Sequence, residues 1–161
     1  MTILVPMSPE SYRAYREATI AAYAEDNIAA GRWLRDTALL QSRANFDSLL
    51  PQGLATPDNY LFEIRATPAG TPVGSIWFAV EARHGVRSAY VYDVEINAES
   101  RRAGHATRAF AALEPVVRDL GISSIGLHVF GHNLGAQALY AKLGYGVTGI
   151  NMVKHLGGTR A

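Results

Sequence analysis

The chain has 161 residues, a length typical of one domain that can bury about two thirds of the surface its unfolded form exposes. Hydrophobic residues make up 48% of it and charged residues 18%, which indicates a soluble globular protein and excludes a disordered one. The formal net charge is +1, from 15 lysines and arginines against 14 aspartates and glutamates, so any anion-binding site must be local.

The first third of the chain predicts one strand and two helices. After a strand over residues 3–5, Ser8 and Pro9 have the pattern of an N-cap followed by the first helical residue. Apolar spacing predicts helices over about residues 9–25 and 36–50. These elements come before the strand-rich part of the chain.

Three strands are then predicted over residues 60–66, 73–82 and 89–96. The last, with the sequence AYVYDVEI, is the clearest, because β-branched and aromatic residues alternate in it with other types. Strict alternation predicts two faces, one with Tyr90, Tyr92, Val94 and Ile96 and the other with Val91, Asp93 and Glu95.

The remaining pattern predicts a helix over about residues 106–120, a strand over 123–130, a short helix capped by Asn133, and one strand or a hairpin over 145–156. Pro115 lies inside the third helix and predicts a kink or bulge there. This order of elements predicts an α/β fold, with a mixed sheet that carries helices on its faces.

The segment RRAGHA, residues 101–106, joins the clearest strand directly to a helix. Such a turn points several backbone N–H groups and the positive end of the helix dipole at one place, which favours an anion. Gly104 and Ala106 let a ligand approach the backbone, and Arg101 and Arg102 supply charged donors, which suits a pyrophosphate. The alternative is a surface turn with solvated arginines, because short glycine motifs recur by chance.

The RRAGHA segment resembles the R/Q-x-x-G-x-G/A signature of the GNAT N-acetyltransferase superfamily, which binds the pyrophosphate of acetyl-CoA. Residues 133–146, NLGAQALYAKLGYG, resemble the N-x-x-A-x-x-x-Y-x-K-x-G-[FY] segment that follows in that family. The resemblance implies one GNAT domain over residues 1–161, with acceptor-side elements in about 1–75 and the acetyl-CoA-binding core in about 76–156. The implied fold is a mixed, mostly antiparallel twisted sheet with a V-shaped cleft between its central strands.

The resemblance also implies acetyl-CoA as the cosubstrate, with no metal. Its expected site comprises Val94, Ile96, Arg101, Arg102, Ala103, Gly104, His105, Ala106, Thr107, Asn133 and Ala136. A backbone N–H of the strand around Val94 to Ile96 would stabilise the oxyanion. Asn133 would reach the pantetheine arm in addition to capping its helix.

Acetylation of an amine needs a base, because a primary amine with a pKa near ~10.4 is about one part in a thousand neutral at pH 7. Glu95 is the first candidate, since it lies in mid-strand beside the predicted anion site. Asp93, His128 and a chain of waters are alternatives, and Asp93 and Glu95, as like-charged neighbours, would raise one carboxyl pKa. Both carboxylates could instead only accept strand hydrogen bonds or pair with arginines.

By resemblance, Tyr140 would protonate the thiolate leaving group; the alternative is core packing with a satisfied hydroxyl. The sequence has no cysteine, so no acyl-enzyme can form on a thiol, and we expect direct transfer. His128 and His132 suggest zinc only weakly, because Gly131 and the strand context spoil the helical spacing and no clear third ligand lies nearby.

Glu25, Asp26, Arg32 and Trp33 are candidates to line a pocket for a cationic amine, the alternative being a solvated helix end. The acceptor could be a polyamine, an amino acid, an aminoglycoside, a protein N-terminus or an aminoacyl-tRNA, and the near-neutral charge disfavours the last. Neither a nucleic-acid nor a membrane partner is expected. Two other functions fit the sequence, namely a non-catalytic acyl-CoA-binding regulatory domain and an interaction domain without a cofactor.

The N-terminus lacks the basic and apolar regions of a signal peptide, and no apolar run approaches the ~20 residues that span a bilayer. We therefore expect a cytoplasmic protein. A homodimer is compatible with the implied fold, and no heptad or apolar patch in the sequence locates an interface.

Overall fold

A computed structural model describes residues 2–158. A five-stranded sheet has the order β1-β2-β3-β4-β5, with antiparallel pairs from β1 to β4 and a parallel β4–β5 pair. The strands are β1 Ile3–Pro6, β2 Asn59–Arg65, β3 Pro72–Arg83, β4 Val86–Ile96 and β5 Ile125–Leu127. The helices are α1 Pro9–Ala29, α2 Arg35–Leu49, α3 His105–Asp119 and α4 Leu134–Lys142. The predicted mixed sheet with flanking helices is confirmed.

Helices α1 and α2 cover one face of the sheet. The α1 helix begins as predicted, because the Ser8 hydroxyl accepts a hydrogen bond of 3.2 Å from the Ser11 N–H and Pro9 is the first helical residue. It continues beyond the predicted end to Ala29. The core on this face consists of Met7, Tyr15, Ile20, Phe46, Leu50, Leu61 and Trp77.

Helix α3 covers the opposite face and buries Ala109, Phe110, Leu113 and Val117 against strands β2 to β4. These positions recur at helical spacing, so burial of one stripe holds the helix on the sheet. Pro115 is exposed and does not end the helix. Tyr140 of α4 packs against the same core.

Strand β4 contains a bulge at Tyr92, because Trp77 of β3 pairs with Asp93 whereas the next residue, Phe78, pairs with Val91. The predicted strict alternation is therefore wrong across this point, since one extra residue shifts the period of two. Val91 and Val94 both pack towards α3, whereas Tyr92 stacks on Trp77 on the α1 side, with ring centroids 4.8 Å apart. The bulge turns Asp93 to the α1 side as well.

Strands β4 and β5 pair only up to Val91 and Leu127 and then separate. Residues 128–130, predicted as strand, have no strand structure, so a V-shaped opening lies beside the second half of β4. Residues 145–156 form neither a strand nor a hairpin within the described chain, and that prediction is wrong. Between residues 2 and 158, no helix has the length and apolar character that crossing a membrane requires.

Candidate active site

A cleft of about 460 Å³ opens where β4 and β5 separate. Its floor is the second half of β4, and its walls come from α1, α2, the chain after β5, and α4. Five residues expected to act in catalysis or to bind acetyl-CoA line it, namely Val94, Glu95, Asn133, Ala136 and Tyr140, and so do the alternative bases Asp93 and His128. The fold thus brings together residues from both sequence motifs.

Asp93 lies on the floor of this cleft and is half-buried. Protein atoms surround its carboxyl group, and part of the residue faces the opening. The Tyr15 hydroxyl of α1 donates to Asp93 Oδ2 over 2.9 Å. Burial raises the pKa of Asp93 to about 7, against the opposing effect of the Tyr15 hydrogen bond, and the neighbouring Glu95 raises it further. A carboxyl group with this pKa can accept a proton near neutral pH.

Glu95 has a different environment. Its side chain is 56% exposed and accepts a hydrogen bond of 2.8 Å from Arg101 Nη2. The alternative predicted for these carboxylates, pairing with an arginine, therefore applies to Glu95. The burial that raises a carboxyl pKa towards the range of a base is found at Asp93 instead. Glu95 as the base stays a prediction, and the geometry favours Asp93.

Tyr140 faces Asp93 from the other side of the cleft. Burial raises the pKa of its phenol to about 12, and the Asp93 charge adds to this effect. Its ring packs edge-on against Phe110 and Tyr145, with centroids 5.6 and 5.8 Å away. Within residues 2–158 the Tyr140 hydroxyl has no hydrogen-bond partner, so it is free to meet a bound molecule.

The backbone of β4 supplies polar groups on the open side. Asn97 donates its N–H to the Val73 carbonyl of β3 over 2.8 Å, whereas the Ile96 carbonyl accepts from Arg101 Nε over 3.0 Å. Backbone N–H and C=O groups alternate in direction along a strand. Those of Val94 and Ile96 therefore point away from β3, into the gap where β5 no longer pairs with β4.

The turn before α3 has the backbone shape of an anion site. Arg102 and Gly104 both have left-handed φ angles, of 64° and 81°, which is the alternation that makes successive N–H groups converge. Gly104 provides no side-chain cap, so the first N–H groups of α3, at His105, Ala106 and Thr107, remain available. Ala103 completes the turn.

Two arginines fix this turn in different ways. Arg108 Nη2 donates to the Ala103 carbonyl over 2.6 Å, and a Cβ on Gly104 would come within 2.7 Å of Arg108 Nη1. The Arg101 side chain ties the turn to β4 through Glu95 and Ile96. The exposed Arg102 makes no ion pair with any described residue, so its charge is available to a ligand.

Helix α4 begins as predicted, because Asn133 Oδ1 accepts from the Ala136 N–H over 3.1 Å. That side chain also faces the cleft, together with Ala136 and Tyr140 at successive helical turns. Asn133 therefore both caps α4 and lines the cleft.

Of the four residues predicted to line a pocket for the acceptor amine, Asp26 and Arg32 line the cleft, whereas Glu25 and Trp33 do not. Asp26 Oδ1 lies 3.3 Å from His132 Nε2. Trp33 lies behind Tyr23, with ring centroids 5.4 Å apart, and Glu25 pairs on the surface with Arg35 at 3.0 Å. Glu25 is therefore a solvated helix end, as the alternative interpretation held.

The histidines do not form a metal cluster within residues 2–158, where no group of three or more His, Cys, Asp or Glu side chains could hold an ion. His128 lines the cleft and packs edge-on against Phe130 at 4.9 Å. Burial, with a smaller contribution from Arg32, lowers the pKa of His128. These features suit a neutral wall residue.

Sequence reasoning predicted Asp26 of α1 for the site but missed Tyr15, Thr19 and Tyr23 of the same helix. Tyr15 is buried in the core and its hydroxyl donates to Asp93, and Thr19 and Tyr23 line the cleft beside the predicted Asp26. The signal was present, since hydroxyl and carboxyl side chains recur at positions 15, 19, 23 and 26, which share one face of a helix. A polar stripe on a helix that must cover the sheet indicates a cleft.

Comparisons with known proteins agree with this geometry. A family model described as Acetyltransferase (GNAT) family matches residues 29–145. The chain is 39% identical over 157 residues to "Uncharacterized N-acetyltransferase YycN" of Bacillus subtilis (strain 168), covering 97% of this chain and all of that one. It is 31% identical to "Uncharacterized N-acetyltransferase YdgE" of the same organism, covering 95% of this chain and 97% of that one. A crystal structure of the putative acetyltransferase YycN superimposes with a TM-score of 0.93 and 37% identity, covering 98% of this chain and 100% of that chain.

Proposed function

The chain belongs to the GNAT acetyltransferase family and is an acyltransferase, and we propose that it moves an acetyl group from acetyl-CoA to a primary amine of a small molecule or peptide by direct transfer. The observation that carries the proposal is the meeting of three parts at the end of β4. These are a backbone anion site before α3, the open polar edge of Val94 and Ile96, and a cleft with a carboxyl and a phenol on opposite sides.

The residues fit acetyl-CoA on their own chemistry. The turn from Arg101 to Thr107 offers N–H donors and the unpaired charge of Arg102, which suits a pyrophosphate. The backbone groups of Val94 and Ile96 that face the gap can bind an extended amide-bearing arm as an added strand would, and Asn133 and Ala136 line the same path.

Asp93 acts as the base in this proposal. Its carboxylate takes a proton from the bound ammonium group, directly or through one water, so that the amine lone pair becomes free to attack the thioester. A pKa near 7 means that about half of the Asp93 side chains are ionised at neutral pH. A carboxylate of ordinary pKa would be ionised but a far weaker base.

The backbone N–H groups of β4 that face the gap hold the charge that develops on the thioester oxygen. Tyr140 then donates its proton to the departing thiolate, and the second proton of the amine nitrogen passes to the resulting phenolate as the amide forms. With a phenol pKa of about 12 the transfer to the thiolate is uphill by about 3.5 pKa units for a thiol of pKa ~8.5, so the proton moves late, as the C–S bond breaks. No cysteine is present to carry the acetyl group.

The acceptor end supports a small amine or the end of a peptide. The cleft volume, about 460 Å³, lies in the range of small-molecule sites. Asp26 can hold a cationic acceptor and Phe130 provides an apolar wall. We expect a cleft of this kind to exclude a folded protein surface.

The test is thiol release from acetyl-CoA by the purified protein with a panel of polyamines, amino acids, aminoglycosides and N-terminal peptides. Stimulation by one acceptor, with that acceptor acetylated by mass spectrometry, is the expected result. If acetyl-CoA does not bind, the proposal fails. If it binds and no acceptor is acetylated, the domain is a non-catalytic acyl-CoA binder.

A further inference from the structure

The carboxylate and guanidinium groups that line the cleft belong to Asp26, Arg32, Arg83, Asp93 and Glu95. Asp93 and Glu95 have the partners described above, Asp26 contacts His132 at 3.3 Å, and Arg83 forms an ion pair of 2.9 Å with Glu81. The guanidinium of Arg32 makes neither an ion pair nor a hydrogen bond with any residue from 2 to 158. Because a guanidinium carries five N–H donors and a fixed charge, Arg32 is free to bind an anion in the cleft.

The end of α1 fixes the backbone of Arg32. Gly31 has a left-handed φ of 74°, its N–H donates to the Ile28 carbonyl over 3.0 Å, and the Arg32 N–H donates to the Asn27 carbonyl over 2.9 Å. This pair of hydrogen bonds is the Schellman motif that ends many helices. Asn27 is fully buried, and its side-chain amide donates to the Tyr23 carbonyl over 2.9 Å. The main chain at Arg32 is therefore anchored, and only its side chain has to adjust to a ligand.

The charge of Arg32 acts inside the cleft. After burial, it is the second cause that lowers the pKa of His128, which lines the cleft from the chain after β5. Asp26, six positions before Arg32, is among the causes that raise the pKa of Asp93. Asp26 and Arg32 do not pair with each other across the described cleft. The acceptor end of the cleft thus has one carboxylate and one guanidinium that do not neutralise each other.

We propose that the acceptor amine also carries a carboxylate, and that Arg32 binds this carboxylate while the ammonium group lies between Asp93 and Asp26. A polyamine or an aminoglycoside brings only positive charges, which Arg32 would repel, whereas an amino acid or a short peptide brings both signs. A phosphate, with about two negative charges, suits this end of the cleft less well, because Asp26 lies close to the single free guanidinium. This inference rests on the proposed function and narrows its acceptor.

The expected gain from the carboxylate is about 5- to 10-fold in kcat/KM. A charge-assisted contact supplies it, and exposure of Arg32 keeps it small. The contact lies away from the reacting atoms and forms equally in the ground state and the transition state. The gain should therefore appear in KM, with kcat unchanged.

The first test compares acceptors that differ only at the end remote from the amine. These are ω-amino acids of increasing length, each beside its ω-amino amide, and oligoglycines with a free or an amidated C-terminus. We expect the free carboxylate to lower KM at one length in one of the two series. A gain among the ω-amino acids would identify a free amino acid as the source of the carboxylate, and a gain among the oligoglycines a peptide.

The variant Arg32→Gln should bring the ratio of kcat/KM within each pair to about one, and Arg32→Lys should keep part of the preference. The matched control is Arg35→Gln, which also removes one positive charge, but from an arginine that pairs with Glu25 on the surface at 3.0 Å. This control should keep the preference. Amines that are acetylated without regard to the carboxylate, or a preference that survives Arg32→Gln, would overturn the inference and leave the proposed function standing. If no amine is acetylated, both fail.

Reversal of the charge gives a second test. Arg32→Glu should turn a preference for an ω-amino acid over the diamine of equal length into a preference for the diamine. A positive charge after a helix also stabilises its C-terminal end, and that role alone predicts a lower Tm in Arg32→Gln and Arg32→Glu with the acceptor preference unchanged. A lower Tm with an unchanged preference would therefore contradict the binding role.

Discussion

The anion site before α3 and the acid–base cleft lie at the two sides of the end of β4 and are built in opposite ways. The anion site is exposed and contiguous, and its donors are backbone N–H groups and the Arg102 side chain. The cleft is partly buried, and its groups come from distant parts of the chain, with Tyr15 on α1, Asp93 on β4 and Tyr140 on α4. Binding of the cosubstrate and movement of protons should therefore be separable by substitution.

The largest expected effect is that of Asp93→Asn, which should lower kcat about 10²- to 10⁴-fold, because it removes the base and keeps the shape of the side chain. The affinity for acetyl-CoA, measured by calorimetry, should not change. The matched control is Glu95→Gln on the same face of β4, which should cost less than about tenfold, since Glu95 is exposed and paired with Arg101. A larger loss for Glu95→Gln than for Asp93→Asn would reverse the assignment of the base.

Tyr140→Phe should lower kcat about 10²-fold, at the low end of general-acid effects, since water that enters the cleft can replace part of the proton donation. Acetyl-CoA affinity should again stay the same. Tyr145→Phe is the control, because burial raises the pKa of Tyr145 to about 12 as well and its ring packs on Tyr140, but it does not line the cleft. Equal losses in the two variants would assign Tyr140 a packing role only.

Arg102→Glu should weaken binding and spare the rate, unlike the two variants above. It should raise the Kd for acetyl-CoA about 10-fold or more, with little change in kcat at saturation. The reason is the loss of a charge-assisted donor and its replacement by a like charge at the anion site. Arg87→Glu, at an exposed position near the start of β4, controls for net charge. An unchanged Kd in Arg102→Glu would leave the turn without a role in binding.

The smallest expected effect is that of Tyr15→Phe, which should move the pH dependence and leave the maximal rate nearly intact. The Tyr15 hydroxyl holds the pKa of Asp93 down, so its removal should raise that pKa above about 7. The ionised carboxylate is the base, so a higher pKa moves the rise of activity to higher pH, by about one unit for one lost hydrogen bond. Tyr12→Phe, which does not contact Asp93, should leave the profile in place. A profile that moves to lower pH in Tyr15→Phe would contradict this role.

The sequence could predict the contiguous anion site better than the cleft, whose groups come from distant parts of the chain. The turn of residues 101–107 and the cap at Asn133 were predictable, because each is a local pattern whose geometry depends on neighbours in the sequence. The bulge at Tyr92 was not, since it depends on how β3 packs beside β4, and it decides that Asp93 faces α1. The partner of Asp93 lies 78 positions away in the chain, and no local pattern links the two.

Residues 145–156 were predicted to be one strand or a hairpin. These residues do have β-forming character, but a strand needs a neighbour, and the described chain provides none for residues 146–158. The pattern thus identified residues that can pair, and the remaining condition, a neighbouring strand, is not met by any described residue.

The most direct measurement is the pH dependence of kcat/KM with one accepted primary alkylamine, for the parent enzyme and for Asp93→Asn. With Asp93 as the base, the parent enzyme should have an ascending limb with a midpoint near 7, well separated from the titration of the amine near ~10.4, and Asp93→Asn should lose this limb. A limb near 7 that persists in Asp93→Asn would show that another group takes the proton and would contradict the assignment of Asp93 as the base.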